Sequence, residues 1–257
     1  MTGPPDAAVV ARLRAAGCVF AEDEAELLVA AAPTADALDG LVARRVAGEP
    51  LEQVLGWAEF CGQRFAVEPG VFVPRRRTGL LVRSAVAVGR PGDVVVDLCC
   101  GVGAVGAAVA AAVGAVELHA ADVDPAAVRC ARRNLAGLGA VHEGDLFAAL
   151  PAGLAGRVDV LVVNAPYVPT GAIALMPPEA RDHEARAALD GGPDGLDVHR
   201  RVAAGARHWL APGGTLIVET SRAQAAGTQA LVAAGGLSAR VVTDDEVDGT
   251  AVVATRG

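Results

Sequence analysis

The residues with the clearest chemical meaning are Asn164-Ala165-Pro166-Tyr167, which directly follow the apolar run 158–163. They place a side-chain amide, backbone carbonyls and an aromatic ring at the carboxyl end of a predicted strand, where open α/β sheets bind ligands. This combination can grip a planar amide or amine. The motif therefore predicts a site for a nitrogen-containing acceptor group.

A second candidate site is the glycine-rich segment 97–106, which leads from another predicted strand into a helix. Its glycines let the backbone come close to a ligand at the start of the helix. Asp122 follows at the end of the next strand, where it suits ribose hydroxyls, as in a dinucleotide fingerprint. On this segment alone, a nicotinamide cofactor and a methyl donor fit equally well, and a purely structural glycine turn is a third interpretation.

Other residues favour the methyl donor. The chain has no lysine and its only tyrosine is Tyr167, whereas a dehydrogenase usually needs a Lys, Tyr or His that handles a proton beside the nicotinamide. The lack of lysine also excludes a Walker-type phosphate loop and a Schiff base. Asp145 could accept from an adenine amino group while Leu146 packs on the ring, although Asp145 could instead cap a helix. Asp97 suits a donor with a sulfonium and an amino group.

Alternating strand and helix patterns must position these residues. From about residue 91 onward the sequence predicts a doubly wound α/β sheet. The predicted strands are 94–97, 116–121, a short third strand before Asp145, 158–163, 215–219, and 239–242 with 251–255 as a closing hairpin. The predicted helices are 104–113, 125–135, 196–210 and 224–234.

The first part of the chain has a different pattern. Apolar residues recur at helical spacing from Asp6 to about Pro50, which predicts a small helical domain. Residues 57–60 and 64–67 flank a Cys-Gly turn and predict a linking β-hairpin. The expected organisation is a helical domain over 1–50, the linking segment over 51–75 and an α/β domain over 76–257.

Composition limits the classes of partner and the compartment. The 257 residues, 53% of them hydrophobic, are ample for a sizeable core, and the formal charge of −8 makes nucleic acid an unlikely partner. Five cysteines without a Cys-x-x-Cys pair predict no disulfide framework, and five histidines without ligand spacing predict no metal site. No signal peptide or membrane span is evident. We expect a cytoplasmic protein, and its oligomeric state is not indicated.

In their order along the chain, these motifs resemble the protein N5-glutamine methyltransferases, which modify release factors. The resemblance runs from about Glu49 to Gln224. The matching segments are Pro50-Leu51, 56–60, Pro74-Arg75, 97–103, Asp122, 145–147, 164–167, 184–196 and the pair Glu219 and Gln224. The resemblance implies a Rossmann-like class I methyltransferase sheet, S-adenosylmethionine as methyl donor, and a glutamine amide in a protein, such as a release factor, as acceptor.

The resemblance also implies a role for each site residue. The Asn164 side-chain oxygen and the Ala165 carbonyl would accept the two N–H hydrogens of the glutamine amide, which favours a localised lone pair. Tyr167 would pack against the amide plane, and Pro166 would fix the loop. The helical domain would dock the protein substrate. The residues expected to contact S-adenosylmethionine are Asp97, Cys99, Cys100, Gly101, Val102, Gly103, Asp122, Asp145, Leu146 and Asn164.

The chain departs from the family pattern at several positions. Ala165 stands for the first proline of Asn-Pro-Pro-Tyr, Cys99 for the first loop glycine and Ala185 for a proline. The acidic Pro-Glu-Thr-Glu after the Pro-Arg turn is here Arg-Arg-Thr-Gly over residues 76–79. This charge reversal indicates either a changed partner surface or a solvated arginine run at the start of a helix. Because Ala165 keeps the accepting carbonyl, we expect activity to be retained.

Two other functions stay open at this point. Asn-x-Pro-Tyr chemistry also serves exocyclic amines of nucleobases, so a nucleic-acid methyltransferase is the nearest enzymatic alternative. A protein that binds S-adenosylmethionine without catalysis is the second, and the substitutions at Cys99, Ala165 and Ala185 motivate it. The acidic net charge and the downstream motifs favour glutamine methylation over nucleic-acid methylation, and the non-catalytic alternative stays open.

Overall fold

The first helices form a unit with its own core. In residues 6–257, which the computed structural model describes, they are α1 (Ala7–Ala15), α2 (Ala21–Ala31), α3 (Ala35–Val46) and α4 (Leu51–Leu55). Asp6 caps the amino end of α1, and Thr34 caps that of α3 through a hydrogen bond to the Ala37 amide. The helices pack around a small set of buried apolar side chains, among them Leu13, Leu28, Val42 and Val54.

The linking segment differs from its prediction in one element. Helix α4 lies in the stretch that the sequence assigned to the linking hairpin, and its Val54 packs with the other helices. The hairpin itself is present as predicted, with β1 (Trp57–Phe60) antiparallel to β2 (Gln63–Ala66). Its buried residue Phe60 packs in the core of the large sheet.

A seven-stranded sheet occupies the rest of the chain. Its strands are β3 (Val94–Leu98), β4 (Glu117–Asp122), β5 (Gly139–Glu143), β6 (Val158–Val163), β7 (Leu210–Glu219), β8 (Ser238–Asp244) and β9 (Gly249–Thr255). Their order is β5-β4-β3-β6-β7-β9-β8, with the first five parallel and β9 antiparallel to both β7 and β8. Both the parallel sheet and the closing hairpin agree with the sequence prediction.

Helices cover both faces of this sheet. They are α5 (Gly79–Val86), α6 (Ala104–Val113), α7 (Pro125–Asn134), α9 (Asp197–Trp209) and α10 (Ala225–Ala234), whereas the short α8 (Pro178–His183) contacts the helical unit. The sequence patterns indicated α6, α7, α9 and α10 but not α5 or α8. Pro125 at the first turn of α7 follows the capping residue Asp124, whose side chain accepts from the Ala126 amide.

The centre of the sheet positions the site. Strand β3 is buried along its whole length and β6 is nearly so, as expected for central parallel strands covered on both faces. The chain runs from β3 to β4 and β5 on one side of the sheet, and then crosses to β6 on the other side of β3. The strand order therefore reverses between β3 and β6. Ligands of open α/β sheets bind beyond the carboxyl ends of strands at such a reversal. No helix within residues 6–257 has both the length and the apolar character to cross a membrane.

Candidate active site

The two motifs singled out in the sequence meet at one cleft. Leu98 at the end of β3 pairs with Val163 at the end of β6, so the glycine loop and the Asn-Ala-Pro-Tyr loop emerge side by side. A cleft of about 390 Å³ lies beyond them and is lined by both loops, by Asp122 and by Asp145. Its size is within the range of small-molecule sites.

Asp122 fixes the backbone of the glycine loop. Its Oδ2 accepts a hydrogen bond from the Gly101 amide at 2.8 Å, and its Oδ1 accepts from the Asp124 amide at 2.9 Å. The Cys100 amide donates to the carbonyl of Ala121, the residue before Asp122 on β4, at 3.1 Å. Burial raises the pKa of Asp122, and these backbone donors oppose the rise. The carboxylate thus organises the loop as well as lining the cleft.

The backbone of the glycine loop is left-handed at three positions. The φ angles are 57° at Cys99, 55° at Gly101 and 80° at Gly103. A Cβ at Gly101 would meet nothing within 4 Å, which leaves open space for a ligand, whereas one at Gly103 would lie 3.0 Å from Leu135. Cys99 adopts the conformation that glycine favours, so this departure from the family pattern carries local backbone strain.

Asp97 lies beneath the loop in a smaller recess that adjoins the cleft. Its Oδ2 accepts from the Gly106 amide at the start of α6 at 2.8 Å, and the residue is almost fully buried. Burial raises the pKa of Asp97 to about 7; the Gly106 hydrogen bond lowers it and the charge of Asp122 raises it further. A cation bound nearby would favour the ionised form of this carboxyl.

Asp145 does not cap a helix. No backbone amide of the following turn donates to its side chain, which instead accepts from Arg201 of α9 at 2.6 Å. The capping alternative is therefore wrong. Leu146 is buried in the cleft wall with a φ of 49°. The residue after it, Phe147, stacks on Trp209 with ring centroids 5.8 Å apart, which anchors this turn.

Asn134 is a contact that sequence reasoning missed. From the end of α7 its Nδ2 donates to the Val102 carbonyl at 2.9 Å and to the Ala66 carbonyl at 3.0 Å. Its Oδ1 accepts from the Ala66 amide at 2.8 Å. One side chain therefore ties the glycine loop to the hairpin. The only signal in the sequence is an asparagine at a helix end, which is too common to single out.

The side-chain nitrogen of Asn164 contacts Thr78, a residue of the smaller recess beside the cleft. This Nδ2 donates to Thr78 Oγ1 at 3.4 Å, and neither the Asn164 Oδ1 nor the Ala165 carbonyl accepts a hydrogen bond from a described residue. Ala165 is buried, and its neighbour Pro166 is part of the cleft wall. Two acceptor oxygens are thus available beside the glycine loop.

Tyr167 is held at both its hydroxyl and its backbone. The hydroxyl donates to Glu219 Oε1 at 3.1 Å, and the backbone carbonyl accepts from Gln224 Nε2 at 2.9 Å. Burial and the Glu219 charge raise the pKa of the Tyr167 hydroxyl to about 12, although Arg77 opposes the rise. The ring therefore stays neutral and fixed, so it can provide a packing surface rather than a base.

The Gly-Gly-x-Asp-Gly-Leu segment supports the loop from behind. A Cβ on Gly191 would lie 2.8 Å from the Pro166 carbonyl oxygen. A Cβ on Gly195 would lie 2.3 Å from the Tyr167 carbonyl oxygen and 2.3 Å from Gln224 Nε2. The Val168 amide also donates to the Leu189 carbonyl at 3.0 Å. Only glycine permits this close approach of the two backbones.

Two arginines form ion pairs along the acceptor wall. Arg75 pairs with the buried Glu184, whose Oε1 also accepts from the Val73 amide at 3.1 Å. The Arg77 Nε lies 3.4 Å from Glu219 Oε1. Burial raises the pKa of Glu219, and Arg77 lowers it. The solvated arginine run considered for residues 76–79 fits Arg76 and Arg77 in part, since both are exposed, but Arg77 also contacts Glu219 in the cleft wall.

The expected site residues fall into three groups. Most line the main cleft: Cys99, Gly101, Asp122, Asp145, Leu146, Asn164, Ala165, Pro166 and Tyr167. Asp97, Cys100 and Val102 line the smaller recess. Gly103 lines neither and packs under Leu135. The cleft presents acidic side chains on the β4 side and uncommitted carbonyl-type oxygens on the β6 side, an arrangement that can orient a nitrogen towards a bound cation.

Comparisons with known proteins agree with this geometry. A family model described as "Methyltransferase small domain" matches residues 63–193. The release factor glutamine methyltransferase of Geobacter sulfurreducens is 40% identical over 72% of this chain and 66% of its own, so this chain spans about two thirds of that relative. The release factor glutamine methyltransferase of Cereibacter sphaeroides is 35% identical over 94% of this chain and 93% of its own.

Another relative carries a different name. The 4-amino-L-phenylalanine/4-methylamino-L-phenylalanine methyltransferase of Streptomyces pristinaespiralis is 39% identical over 76% of this chain and 69% of its own. A solved methyltransferase from Pyrococcus furiosus superposes with a TM-score of 0.57 at 17% identity, covering 84% of this chain and 97% of its own. The predicted class I methyltransferase fold is confirmed. The chain belongs to the family of S-adenosylmethionine-dependent methyltransferases that includes the release factor glutamine methyltransferases.

Proposed function

We propose that this chain methylates the side-chain amide nitrogen of a glutamine in a protein, with a peptide chain release factor as its target. The observation that carries the proposal is the pair of free acceptor oxygens, Asn164 Oδ1 and the Ala165 carbonyl, on the strand next to the glycine loop. A primary amide presents two N–H donors that match this pair. The names of the relatives from Geobacter and Cereibacter support the same acceptor.

The residues on the donor side fit S-adenosylmethionine. Asp122 would accept from the ribose hydroxyls, Asp145 would accept from the adenine amino group, and Leu146 would cover the adenine ring. Open space at Gly101 admits the ligand against the backbone, and Asp97 supplies a buried carboxyl below it. Bound there, S-adenosylmethionine supplies an electrophilic methyl group on a cationic sulfur.

The acceptor residues would make the amide nitrogen a better nucleophile by orienting it. The nitrogen lone pair of a free amide is delocalised into its carbonyl. When Asn164 and Ala165 accept both N–H hydrogens and Tyr167 packs against the amide plane, the nitrogen is aimed and its lone pair is more localised. Orientation of this kind can contribute about 7–11 kcal/mol to a barrier when reacting atoms are well aligned.

No strong base is required in this mechanism. The neutral Tyr167 hydroxyl is committed to Glu219, and its pKa of about 12 makes it unsuitable for taking a proton from the amide. The amide proton can leave after methyl transfer, because the methylated nitrogen is acidic. Asn164 Oδ1 and the Ala165 carbonyl would accept hydrogen bonds from the two N–H groups of the methylated nitrogen until one proton passes to water.

A second candidate acceptor is the aromatic amine of a free amino acid. The relative from Streptomyces pristinaespiralis carries that acceptor in its name, and it is as similar to this chain as the release factor enzymes are. An aromatic amine is also nearly planar at nitrogen and has two N–H donors. The grip formed by Asn164, Ala165 and Tyr167 therefore suits it too.

The helical unit is part of the proposal as the docking site for a protein substrate. Arg45 of α3 pairs with Glu24 and, at 2.6 Å, with Glu179 of α8. Gln53 donates to the His183 carbonyl at 3.1 Å. The Arg45 contact joins the helical unit, proposed over 1–50, to α8 near the cleft mouth, and Gln53 of the following helix α4 contacts the end of α8. All five cysteines are free, which supports a reducing, cytoplasmic setting.

The test is transfer of labelled methyl groups from S-adenosylmethionine to purified release factors, with 4-amino-L-phenylalanine assayed in parallel. We expect one methyl group on a single glutamine, located by mass spectrometry, and none on a release factor in which that glutamine is replaced by asparagine. Calorimetry with the donor alone is the control for a folded enzyme. Donor binding without transfer to any acceptor would contradict the proposal and favour the non-catalytic alternative.

A further inference from the structure

The acceptor side of the cleft contains an arginine with spare hydrogen-bond donors. Arg77 lies in the cleft wall close to Tyr167, and its side chain is 45% exposed. A guanidinium has five N–H donors; Arg77 contacts Glu219 through its Nε at 3.4 Å and also faces the Tyr167 hydroxyl, so donors remain for a further partner. The two terminal nitrogens form the flat edge that binds a carboxylate through two parallel hydrogen bonds.

The other two arginines of the cleft, Arg75 and Arg201, form shorter ion pairs with their carboxylate partners. Arg75 is paired with Glu184, whose side chain is fully buried, and Arg201 donates to Asp145 at 2.6 Å. Glu219 is a weaker counterion for Arg77, because its Oε1 is shared with the Tyr167 hydroxyl and burial raises its pKa. Arg77 is therefore the cleft arginine best able to bind a further anion.

Arg77 also stands where the family resemblance places an acidic residue. A glutamate at this point would repel a carboxylate on the acceptor, and an arginine attracts one. This replacement of an acidic residue by Arg77 lies beside Tyr167, on the acceptor side of the cleft, and does not alter the donor side. The sequence departure and the geometry therefore concern the same substrate.

We infer that the acceptor of this chain carries a carboxylate apart from the methylated nitrogen and that Arg77, on the wall of the same cleft as Asn164, binds it. The inference rests on the proposed function, because it takes the acceptor nitrogen to lie at Asn164. Two sources can supply this chemistry. One is an acidic side chain next to the target glutamine of a protein, and the other is the α-carboxylate of a free amino acid such as 4-amino-L-phenylalanine.

Matched acceptors with and without the carboxylate test the inference and separate its two sources. One pair is a glutamine peptide with aspartate or asparagine beside the glutamine, and the other is 4-amino-L-phenylalanine or its carboxamide. In at least one pair, wild-type kcat/KM is expected to be about tenfold higher for the acid, the usual size of a charged hydrogen bond. Arg77→Gln should remove this preference and Arg77→Lys should restore part of it, whereas Arg76→Gln, at the exposed neighbour, should keep it.

The outcomes distinguish this inference from the proposed function. Equal use of acid and neutral acceptors by the wild-type enzyme would overturn the inference and leave methyl transfer intact. An equal loss on both members of a pair in Arg77→Gln would also overturn it, because Arg77 would then act only as the counterion of Glu219. If no acceptor of either pair and no release factor were methylated, the proposed function itself would fail.

Discussion

The donor and acceptor halves of the cleft are built by different kinds of contact. On the donor side, the carboxylates of Asp97 and Asp122 accept at 2.8 Å from the Gly106 and Gly101 amides, which lie 9 and 21 residues away along the chain. On the acceptor side, Tyr167 depends on Glu219 and Gln224, which lie more than 50 residues away along the chain. These two carboxylates of the donor half thus make shorter-range contacts than Tyr167 of the acceptor half, although Asp145 on the donor side pairs with Arg201, 56 residues away.

This difference explains where the chain departs from its relatives. A local loop has few ways to hold the same ligand, and its one departure, Cys99, still adopts the left-handed backbone of the glycine that it replaces. The acceptor half combines side chains from several elements, so a change such as Arg77 can alter the acceptor without disturbing the donor. Substitutions in the two halves should therefore have separable effects on donor binding and on methyl transfer.

A large loss of methyl transfer with unchanged donor binding is expected at Tyr167. Tyr167→Ala removes the surface that packs on the acceptor and leaves Glu219 with one fewer donor. We expect kcat/KM for the protein acceptor to fall about 100-fold, of the order seen when one well-placed transition-state contact is lost. Donor affinity, measured by calorimetry, should stay unchanged. Tyr167→Phe keeps the ring and is the matched control, with a smaller loss; equal losses in both variants would contradict a packing role.

Asp122→Asn tests the donor half. The substitution removes a charged acceptor that holds the Gly101 and Asp124 amides. Donor affinity should fall by roughly 10- to 100-fold, the cost of losing a hydrogen bond to a charged group. When S-adenosylmethionine is saturating, the kcat of the variant should be close to the wild-type value. A large loss of kcat that excess donor cannot correct would break the separation between the two halves.

Asp97 should make stability and donor binding depend on pH. Its pKa is about 7 in the folded protein and 3.8 for the ordinary group. A carboxyl with a raised folded pKa contributes stability that is fully present below pH 3.8 and is lost as the pH rises to about 7. Asp97→Asn should therefore be more thermostable than wild type at pH 8, and the difference should shrink towards pH 4.

Donor affinity should change in the opposite sense over the same pH window. A cationic donor favours ionised Asp97, so wild-type affinity should rise by about tenfold as the pH increases through the pKa of this group. Calorimetry at several pH values measures this rise, and Asp97→Asn should bind with little pH dependence. The same rise in the variant would show that another group is responsible.

Gly195→Ala tests whether the distant segment shapes the acceptor half. The new Cβ would clash with the Tyr167 carbonyl oxygen and with Gln224 Nε2. In addition, the φ angle of residue 195 is +76°, which favours glycine. We expect a loss of about 1–3 kcal/mol in unfolding free energy from overpacking. The KM for the acceptor should rise several-fold, with donor affinity unchanged. Gly153→Ala, whose Cβ meets nothing within 4 Å, is the control and should be close to wild type.

The smallest effect is expected at Ala165. Ala165→Pro restores the family residue and keeps the accepting carbonyl, and the Ala165 amide donates no hydrogen bond to a described residue. Activity should stay within about twofold of wild type, and stability should rise by about 0.4–1 kcal/mol because the unfolded chain is stiffer. Steady-state kinetics and thermal unfolding measure both. A strong loss of activity would show that the amide of Ala165 has a role of its own.

The sequence predicts the local features of this molecule better than the distant ones. The central strands, the closing hairpin and both ligand loops follow from apolar periodicity and short motifs, and the structure contains them. Helix α4 was missed because its five residues are too few for a periodic pattern. The contact of Arg77 with Glu219 joins residues 142 positions apart, and no local pattern indicates such a pair. Asn134 was missed for the same reason.

The most direct test of the two-half site is a paired measurement on Asn164→Ala, combining donor calorimetry with single-turnover methyl transfer to the protein acceptor. We expect S-adenosylmethionine to bind with near wild-type affinity and transfer to slow by about 100-fold or more, because one of the two acceptor oxygens is removed. A variant that binds the donor normally and still methylates its glutamine at the wild-type rate would contradict the account.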